Sequence, residues 1–258
     1  KPWFQNRHGW PSMNTDSLTE EDWKKTTAAY YGMISYADDL CGKMLRAAMD
    51  NSGGRETLVL FTADHGEMMG CHSRFDKGAY FYEEVMRTPL LICENLGKDA
   101  GFRSRDEYCS SQDIAATLFD AVQAQAPSGR SLLALLNGSS RAPWPQEVFG
   151  AYHRYNGHSF EVRCISTPRY KYSYVPQDID ELYDLEKDPH EMVNVSDDLE
   201  YAQIKRDLKR RLFGWMRREG DYLPYMRQYL APAGALPGAQ QEQAGYDVYE
   251  RRERYNER

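Results

Sequence analysis

The chain has 258 residues, and 41 % of them are hydrophobic. This content is enough for a sizeable core and excludes intrinsic disorder over the whole chain. The formal net charge of −7 argues against a general nucleic-acid binder, although one locally anionic substrate is still allowed. No apolar run approaches the ~20 residues needed to cross a bilayer, so no membrane span is expected.

The first predicted element is a long helix. Residues Ser17 and Glu20 have the spacing of a capping box, and the Gly-rich residues 51–54 should end the helix. Apolar residues recur at helical spacing, which predicts one buried face. The residues of this face are Trp23, Thr27, Tyr30, Ile34, Ala37, Cys41 and Met44.

Two strands and a helix should follow. Residues 57–63 are β-branched and apolar without polar alternation, which is typical of a strand covered on both faces of a parallel sheet. Residues 89–93 predict a second strand, and residues 110–122 predict a helix with Ser110 and Asp113 at capping spacing. The expected fold class is α/β, with part of a mostly parallel sheet sandwiched by helices.

The pattern changes after residue 145. Short strands over residues 147–152, 160–166 and 170–174 predict a small antiparallel sheet. Residues 201–218 form a basic amphipathic pattern with Ile204, Leu208, Leu212 and Trp215 inward, which predicts a helix. Residues 223–258 predict an extended tail.

The cysteines give no metal or disulfide signature. The five residues Cys41, Cys71, Cys93, Cys109 and Cys164 are dispersed, with no C-x-x-C pair. This spacing favours reduced thiols over a disulfide framework or a zinc site, but it does not exclude a single disulfide bond.

The candidate chemistry lies where the first strand ends. Asp64 and His65 follow that strand directly, and Gly66 permits a sharp turn there. A carboxylate and a neutral imidazole at adjacent positions could share one cation. Lys77 carries a flexible positive charge suited to a phosphate or sulfate group. The alternative is structural, because an Asp at a strand end often only caps a turn.

The segment "FTADHGEMMGCHSRFDKGAYFYEEVMRTPLLI" resembles the sulfatases of the alkaline-phosphatase-like superfamily. That family carries Asp-His/Asn-Gly, then Gly-x-His, Lys-Gly and Tyr-Glu-x-x-x-Arg-x-Pro in this order. Further similarity lies in "YYGMISYADDLCGKML", "SSQDIAATLFDAV" and "ELYDLEKDPHEMVNV". The resemblance spans residues 20–200. It implies that residues 1–145 form the carboxyl-terminal part of a catalytic α/β domain, followed by a small α+β subdomain over 146–222.

The resemblance also implies roles for individual residues. Asp64 and His65 would bind a divalent cation, with calcium expected first and manganese as the alternative. Lys77 would contact the sulfate group, and His72 would lie near the site and touch substrate. Glu83 and Arg87 would form a structural ion pair behind the site.

The sequence departs from the family at the nucleophile. Sulfatases convert the first residue of a Cys/Ser-x-Pro/Ala-x-Arg motif into formylglycine, and none of the five cysteines begins that motif. The first pair of metal-binding aspartates is also absent. The expectation is therefore a carboxyl-terminal sulfatase segment whose formylglycine lies on a missing amino-terminal part, which would be its partner.

Three functions follow from these observations. The first is metal-dependent hydrolysis of a sulfate ester, on a sulfated small molecule or glycan. The second is phosphonate monoester or phosphodiester hydrolysis, or phosphate transfer, within the same superfamily. The third is an inactive binding or scaffold fragment. The sequence does not exclude a homo-oligomer, and it does not identify a cellular compartment.

Overall fold

The structure is a computed structural model that describes residues 2, 5, 15, 17–94, 96, 101–139, 143–155, 158–176 and 178–221. The predicted tail over residues 223–258 lies outside this part of the chain. The described helices are α1 (Glu20–Asp50), α2 (Glu83–Met86), α3 (Ser111–Ala121), α4 (Leu132–Leu136) and α5 (Ala202–Arg218). The described strands are β1 (Val59–Thr62), β2 (Leu90–Cys93), β3 (Val148–Tyr155), β4 (His158–Ser166), β5 (Tyr170–Tyr174) and β6 (Glu181–Asp184).

Helix α1 begins two residues later than its predicted capping box. The Thr19 side chain accepts a hydrogen bond from the Asp22 N–H, and the Asp22 carboxylate accepts one from the Thr19 N–H. These reciprocal bonds satisfy donors that would otherwise be unpaired at the helix start. None of the 31 residues of α1 is buried. The predicted inward face is only partly covered by the described part of the chain, since Trp23, Thr27, Tyr30 and Cys41 are half-buried and Ile34, Ala37 and Met44 are exposed.

The two predicted strands of the first half form, but their arrangement differs from the expected one. Strands β1 and β2 are antiparallel, with Val59 opposite Cys93 and Thr62 opposite Leu90. The described residues therefore do not show the predicted parallel sheet. An apolar run without polar alternation indicates that both faces of the strand are buried, but it does not determine whether the neighbouring strand is parallel or antiparallel.

Two side chains of α3 accept hydrogen bonds from the backbone at the start of α4. The Ser110–Asp113 capping box forms as predicted. The Asp113 carboxylate also accepts a bond from the Arg130 N–H at 2.8 Å, and the Thr117 hydroxyl accepts one from the Leu132 N–H at 2.9 Å. These contacts hold the start of α4 against α3.

The second half contains the main core. Strands β3, β4, β5 and β6 form one antiparallel sheet in chain order. The first three correspond to the predicted short strands, whereas β6 was not among them. Helix α5 packs on this sheet, with Leu208 and Leu212 almost fully buried against Ile165, Tyr172 and Leu182. Each fully buried side chain of this size stabilises the fold by about 1.5–3 kcal/mol. Among the described helices, none is both long and apolar enough to span a membrane.

Candidate active site

Asp64 and His65 lie together just beyond the carboxyl end of β1. The Asp64 carboxylate accepts a hydrogen bond from the His65 N–H at 3.0 Å, and its other oxygen lies 3.4 Å from His65 Nε2. The Asp64 side chain is 87 % exposed and that of His65 is 35 % exposed. The structure therefore brings the two predicted metal ligands into one accessible position.

The ring of His65 is oriented by its own turn. Nδ1 lies 2.8 Å from the Gly66 carbonyl oxygen, which can only accept a hydrogen bond. In the neutral ring, Nδ1 carries the proton and Nε2 keeps its lone pair beside the Asp64 carboxylate. Two ligands of one divalent cation lie about 3 Å apart, given metal–ligand distances of about 2.0–2.6 Å. The Asp64–His65 pair fits that spacing.

A compact loop connects this pair to Lys77. The Glu67 carboxylate accepts hydrogen bonds from the backbone N–H groups of Met69 and Asp76, near the two ends of the loop. Four non-glycine residues within the loop have positive φ angles, a conformation that normally costs energy. They are Met69, His72, Ser73 and Asp76. The surrounding hydrogen bonds hold the loop in this strained shape.

The loop starts against helix α2. The Gly66 N–H donates to the Val85 carbonyl at 2.8 Å, and the Glu67 N–H donates to the Glu84 carbonyl at 3.0 Å. A Cβ atom on Gly66 would lie only 1.9 Å from the Glu84 carbonyl oxygen. A glycine is therefore required here by the close approach of two backbones.

Lys77 follows the second end of the loop. Its Nζ lies 3.4 Å from a carboxylate oxygen of Asp76, and its side chain is 42 % exposed. The same Asp76 is the residue whose N–H is held by Glu67. The ammonium group is therefore placed on a fixed stretch of backbone and is open to solvent on one side.

His72 has a different environment from the other predicted site residues. Its side chain is only 4 % exposed, and its ring stacks on Tyr82 with centroids 3.9 Å apart. Its Nε2 lies 4.0 Å from a carboxylate oxygen of Glu84. This position supports the loop from inside, and the substrate contact stays a prediction.

Helix α2 is anchored to the second half of the chain by a buried ion cluster. Lys171 Nζ lies 2.5 Å from Glu83 Oε1 and 3.0 Å from Glu191 Oε1, and its side chain is 3 % exposed. The Glu191 carboxylate also accepts a bond from the Glu83 N–H at 2.7 Å. Glu83 thus pairs with Lys171, and the ion pairs found among the described residues do not include the predicted one with Arg87.

Sequence reasoning missed three of these supporting residues. Glu67 and Glu191 lie inside the segments that resemble the family and Lys171 lies inside a predicted strand, but the sequence predicts no role for any of the three. Glu67 had a detectable signal, since a carboxylate directly after a tight Asp-His-Gly turn can accept nearby backbone N–H groups. Lys171 and Glu191 had no such signal in the sequence, because their contacts with Glu83 and with each other join distant parts of the chain.

Three thiols of the described chain show no activation, and only Cys71 among them lies in the loop between His65 and Lys77. Burial, reinforced by the Glu84 carboxylate, raises the pKa of Cys71. Burial likewise raises the pKa of Cys109, and it raises that of Cys164 to about 12. Nucleophilic thiols need the opposite shift.

The metal donors within the described residues are limited. In the part of the chain that the structure describes, no group of three or more His, Cys, Asp or Glu side chains is arranged to hold a metal ion. Asp64 and His65 therefore offer two donors with suitable spacing, and a complete coordination shell would need further ligands.

Comparison with protein families gives two matches along the chain. Residues 70–218 match the family described as N-sulphoglucosamine sulphohydrolase, C-terminal. Residues 4–124 match the family described as Sulfatase. The matches cover both halves of the fold in the order that the sequence predicted.

Individual relatives give the same picture. An arylsulfatase of Clostridium perfringens is 34 % identical over 189 residues, which cover 70 % of this chain and 38 % of that protein. Among solved structures, a 2-O GAG sulfatase superposes with a TM-score of 0.70 at 26 % identity, covering 79 % of this chain and 45 % of that one. A phosphonate monoester hydrolase of Agrobacterium radiobacter gives a TM-score of 0.69 at 29 % identity, covering 77 % and 42 %. The chain thus spans less than half the length of these relatives.

Proposed function

Because this chain belongs to the sulfatase family and corresponds to its carboxyl-terminal portion, we propose that it supplies part of the active site of a metal-dependent sulfate ester hydrolase. The substrate class is a sulfated small molecule or glycan. The formylglycine nucleophile is contributed by sequence outside this chain.

The single observation that carries the proposal is the Asp64–His65 pair. A carboxylate oxygen and an imidazole nitrogen 3.4 Å apart, exposed at the end of a strand, have the spacing of two ligands on one cation. Cys71, the thiol within the adjoining loop, does not begin the Cys/Ser-x-Pro/Ala-x-Arg motif, which supports a nucleophile located elsewhere.

Each residue has a distinct role in this proposal. Asp64 and His65 hold the cation, calcium in preference to manganese, and the Gly66 carbonyl keeps the ring of His65 oriented. A bound divalent cation would neutralise charge on the oxygens of the transferred group. Lys77 places an ammonium group against the same anionic group, and the Glu67-closed loop keeps it in position.

Metal binding is tested on the chain as it is. We expect calcium to bind weakly, because Asp64 and His65 supply only two donors, and to be detected by titration calorimetry or a calcium-dependent rise in Tm. Asp64→Asn should weaken binding at least tenfold, whereas Asp38→Asn, on the exposed surface of α1, should leave it unchanged. Equal binding by wild type and Asp64→Asn would contradict the assignment of Asp64.

The chemistry is tested in two steps. The chain alone should not hydrolyse an aryl sulfate in the presence of calcium, because its nucleophile is missing, and turnover that depends on Lys77 would contradict this. An enzyme assembled from this chain and an amino-terminal sulfatase segment should hydrolyse the aryl sulfate, and Lys77→Ala should lower kcat/KM at least a hundredfold.

A second candidate is phosphonate monoester hydrolysis. It is favoured by the likeness to the Agrobacterium radiobacter phosphonate monoester hydrolase, which is as similar in fold as the sulfatase structure. The ratio of kcat/KM for an aryl sulfate and an aryl phosphonate monoester on the assembled enzyme decides between the two. A ratio above one supports the sulfatase, and the reverse supports the phosphonate hydrolase.

A further inference from the structure

Glu191 has an unusual conformation for a charged residue in the interior of the fold. It lies in the segment that follows β6, its φ angle is +53°, and it is only 1 % exposed. A non-glycine residue in the left-handed region costs energy, and so does the burial of a carboxylate. Burial raises the pKa of Glu191 even though Lys171 lies beside it, so the charged form is disfavoured by folding. The carboxylate is therefore held here at a cost to stability, which indicates a specific role.

Both oxygens of the Glu191 carboxylate hold the beginning of α2. Oε2 accepts a hydrogen bond from the Glu83 N–H at 2.7 Å. Oε1 lies 3.0 Å from Lys171 Nζ, and the same ammonium group lies 2.5 Å from Glu83 Oε1. Glu191 thus binds the backbone of Glu83 directly and its side chain through Lys171. The first residue of α2 is fixed in two ways by the second half of the chain.

A second buried group holds the residue before α2. The Tyr82 hydroxyl donates a hydrogen bond to Gln5 Oε1 at 2.6 Å and lies 3.4 Å from a carboxylate oxygen of Glu181. Glu181 also accepts hydrogen bonds from Gln5 Nε2 at 2.7 Å and from the Tyr183 hydroxyl at 2.6 Å. These contacts do not involve Glu191. They keep α2 attached to the second half of the chain when Glu191 is replaced, so such variants should still fold.

The opposite side of α2 holds the turn that carries the candidate metal ligands. Its Val85 and Glu84 carbonyl groups accept hydrogen bonds from the N–H groups of Gly66 and Glu67. The Gly66 carbonyl in turn orients the ring of His65 through Nδ1. Because α2 has only four residues, about one turn of helix, a displacement of its first residue also displaces these carbonyl groups.

We propose that Glu191 is a positioning residue, which sets the place of the Asp64–His65 turn by fixing α2 from the second half of the chain. Among the described residues, its carboxylate contacts α2 and Lys171, so its effect on the turn passes through the backbone of α2. The consequence for metal binding rests on the proposed function, whereas the position of the turn is a property of the fold. The candidate site is thus shaped by a residue more than a hundred positions further along the chain.

The test compares two substitutions of Glu191 with two controls. Glu191→Ala removes both carboxylate oxygens, and Glu191→Gln keeps one acceptor but loses the charge that attracts Lys171. Glu186→Gln is the matched control, because Glu186 is 65 % exposed and pairs with Arg169 at the surface. Leu212→Ala is the control for general loosening, because Leu212 lies in the core beneath α5 and not against α2.

Hydrogen exchange is measured at the Gly66 and Glu67 amides, which donate to the α2 carbonyl groups. Each protein is measured at the same interval below its own Tm, so that differences in global stability are removed. We expect exchange to accelerate at least tenfold in Glu191→Ala and about threefold in Glu191→Gln. Glu186→Gln and Leu212→Ala should stay within about twofold of wild type. If Glu191→Ala does not fold, the exchange of Glu191→Gln decides alone.

The ring of His65 and the affinity for calcium give two further measurements. The nitrogen resonances of His65 should shift in both Glu191 variants and not in Glu186→Gln, because the Nδ1 bond to the Gly66 carbonyl moves with the turn. Calcium affinity should fall about tenfold in Glu191→Ala, as it does when residues that orient metal ligands are replaced, and should be unchanged in Glu186→Gln. If the wild type binds no calcium, the proposed function is refuted, and exchange still decides the positioning role.

Three results would overturn the proposal. One is wild-type exchange at Gly66 and Glu67 in the Glu191 variants. Another is an equal acceleration in Leu212→Ala, since the effect would then come from general loosening of the fold. The third is calcium binding by the wild type that Glu191→Ala leaves unchanged, because the ligands would then be positioned without Glu191.

Discussion

Glu67 accepts a hydrogen bond from the backbone N–H of Asp76, nine residues further along the chain. The same carboxylate oxygen accepts a second bond from the Met69 N–H at 3.2 Å. The side chain therefore closes the loop that begins at Asp64–His65 and ends at Lys77. It couples the position of the ammonium group to that of the candidate metal ligands.

Replacing Glu67 should loosen this loop without unfolding the protein. Each hydrogen bond to a charged group contributes about 1.5–3 kcal/mol, and Glu67→Ala removes two of them while four strained residues remain. We expect hydrogen exchange at the Met69 and Asp76 amides to accelerate at least tenfold. Glu67→Gln keeps a carbonyl acceptor and should show a smaller change. Equal exchange in wild type and Glu67→Ala would show that other contacts hold the loop.

Gly66 should tolerate no side chain. An added Cβ would lie 1.9 Å from the Glu84 carbonyl oxygen, and a backbone atom cannot move aside as a flexible side chain can. Gly66→Ala should therefore lower the free energy of unfolding by about 2 kcal/mol or more. Thermal and urea unfolding measure this change.

Gly32 in α1 provides the matched control, since nothing lies within 4 Å of a Cβ added there. Gly32→Ala should stabilise the protein by about 0.5–1 kcal/mol, because alanine favours the helix. If both variants were equally stable, the close approach of Gly66 to α2 would not exist in solution.

Lys171 should make stability fall at alkaline pH. Burial alone would lower the pKa of Lys171, but the charges of Glu191 and Glu83 outweigh it and raise the pKa above its usual 10.5. Because the folded-state pKa is the higher one, the stabilising contribution is complete below pH 10.5 and is lost as pH rises through the folded value.

The measurement compares wild type with Lys171→Met. At neutral pH the variant should be about 3–5 kcal/mol less stable, because it leaves two carboxylates without their cation. The difference in free energy of unfolding between the two proteins should shrink above pH 10.5. Because both proteins contain the same tyrosines, this change reports deprotonation of Lys171 and not of the tyrosines. Lys24→Met, at an exposed surface pair, should follow the wild type throughout. A constant difference between wild type and Lys171→Met would contradict the pairing.

The second half of the fold could be predicted because its signals are local. Ile204, Leu208, Leu212 and Trp215 repeat at helical spacing and pack on the sheet as α5 requires. Local signals succeed in the first half too, where the Ser110–Asp113 capping box was visible as a four-residue pattern and forms as expected. In both cases the residues that define the element are close in sequence.

The candidate site was only partly predictable for the same reason. The adjacency of Asp64 and His65 made their proximity certain, and the structure adds the ring orientation given by Gly66. The pairing of Glu83 with Lys171 instead of Arg87 depends on how α2 packs against β5. A lysine in a strand pattern indicates a charge, but the pattern does not contain the distant carboxylate that will receive it.

The core beneath α5 gives a last prediction, on stability alone. Leu212 is fully buried among Ile165, Tyr172 and Leu182, whereas Leu199 is 90 % exposed. Leu212→Ala should cost about 2–5 kcal/mol, because it removes buried apolar surface and leaves a cavity that rigid neighbours do not fill. Leu199→Ala should change the free energy of unfolding by less than about 0.5 kcal/mol. Urea unfolding of the two variants measures this difference. A decrease in the free energy of unfolding below about 1 kcal/mol for Leu212→Ala would mean that α5 does not pack closely on the β3–β6 sheet in solution.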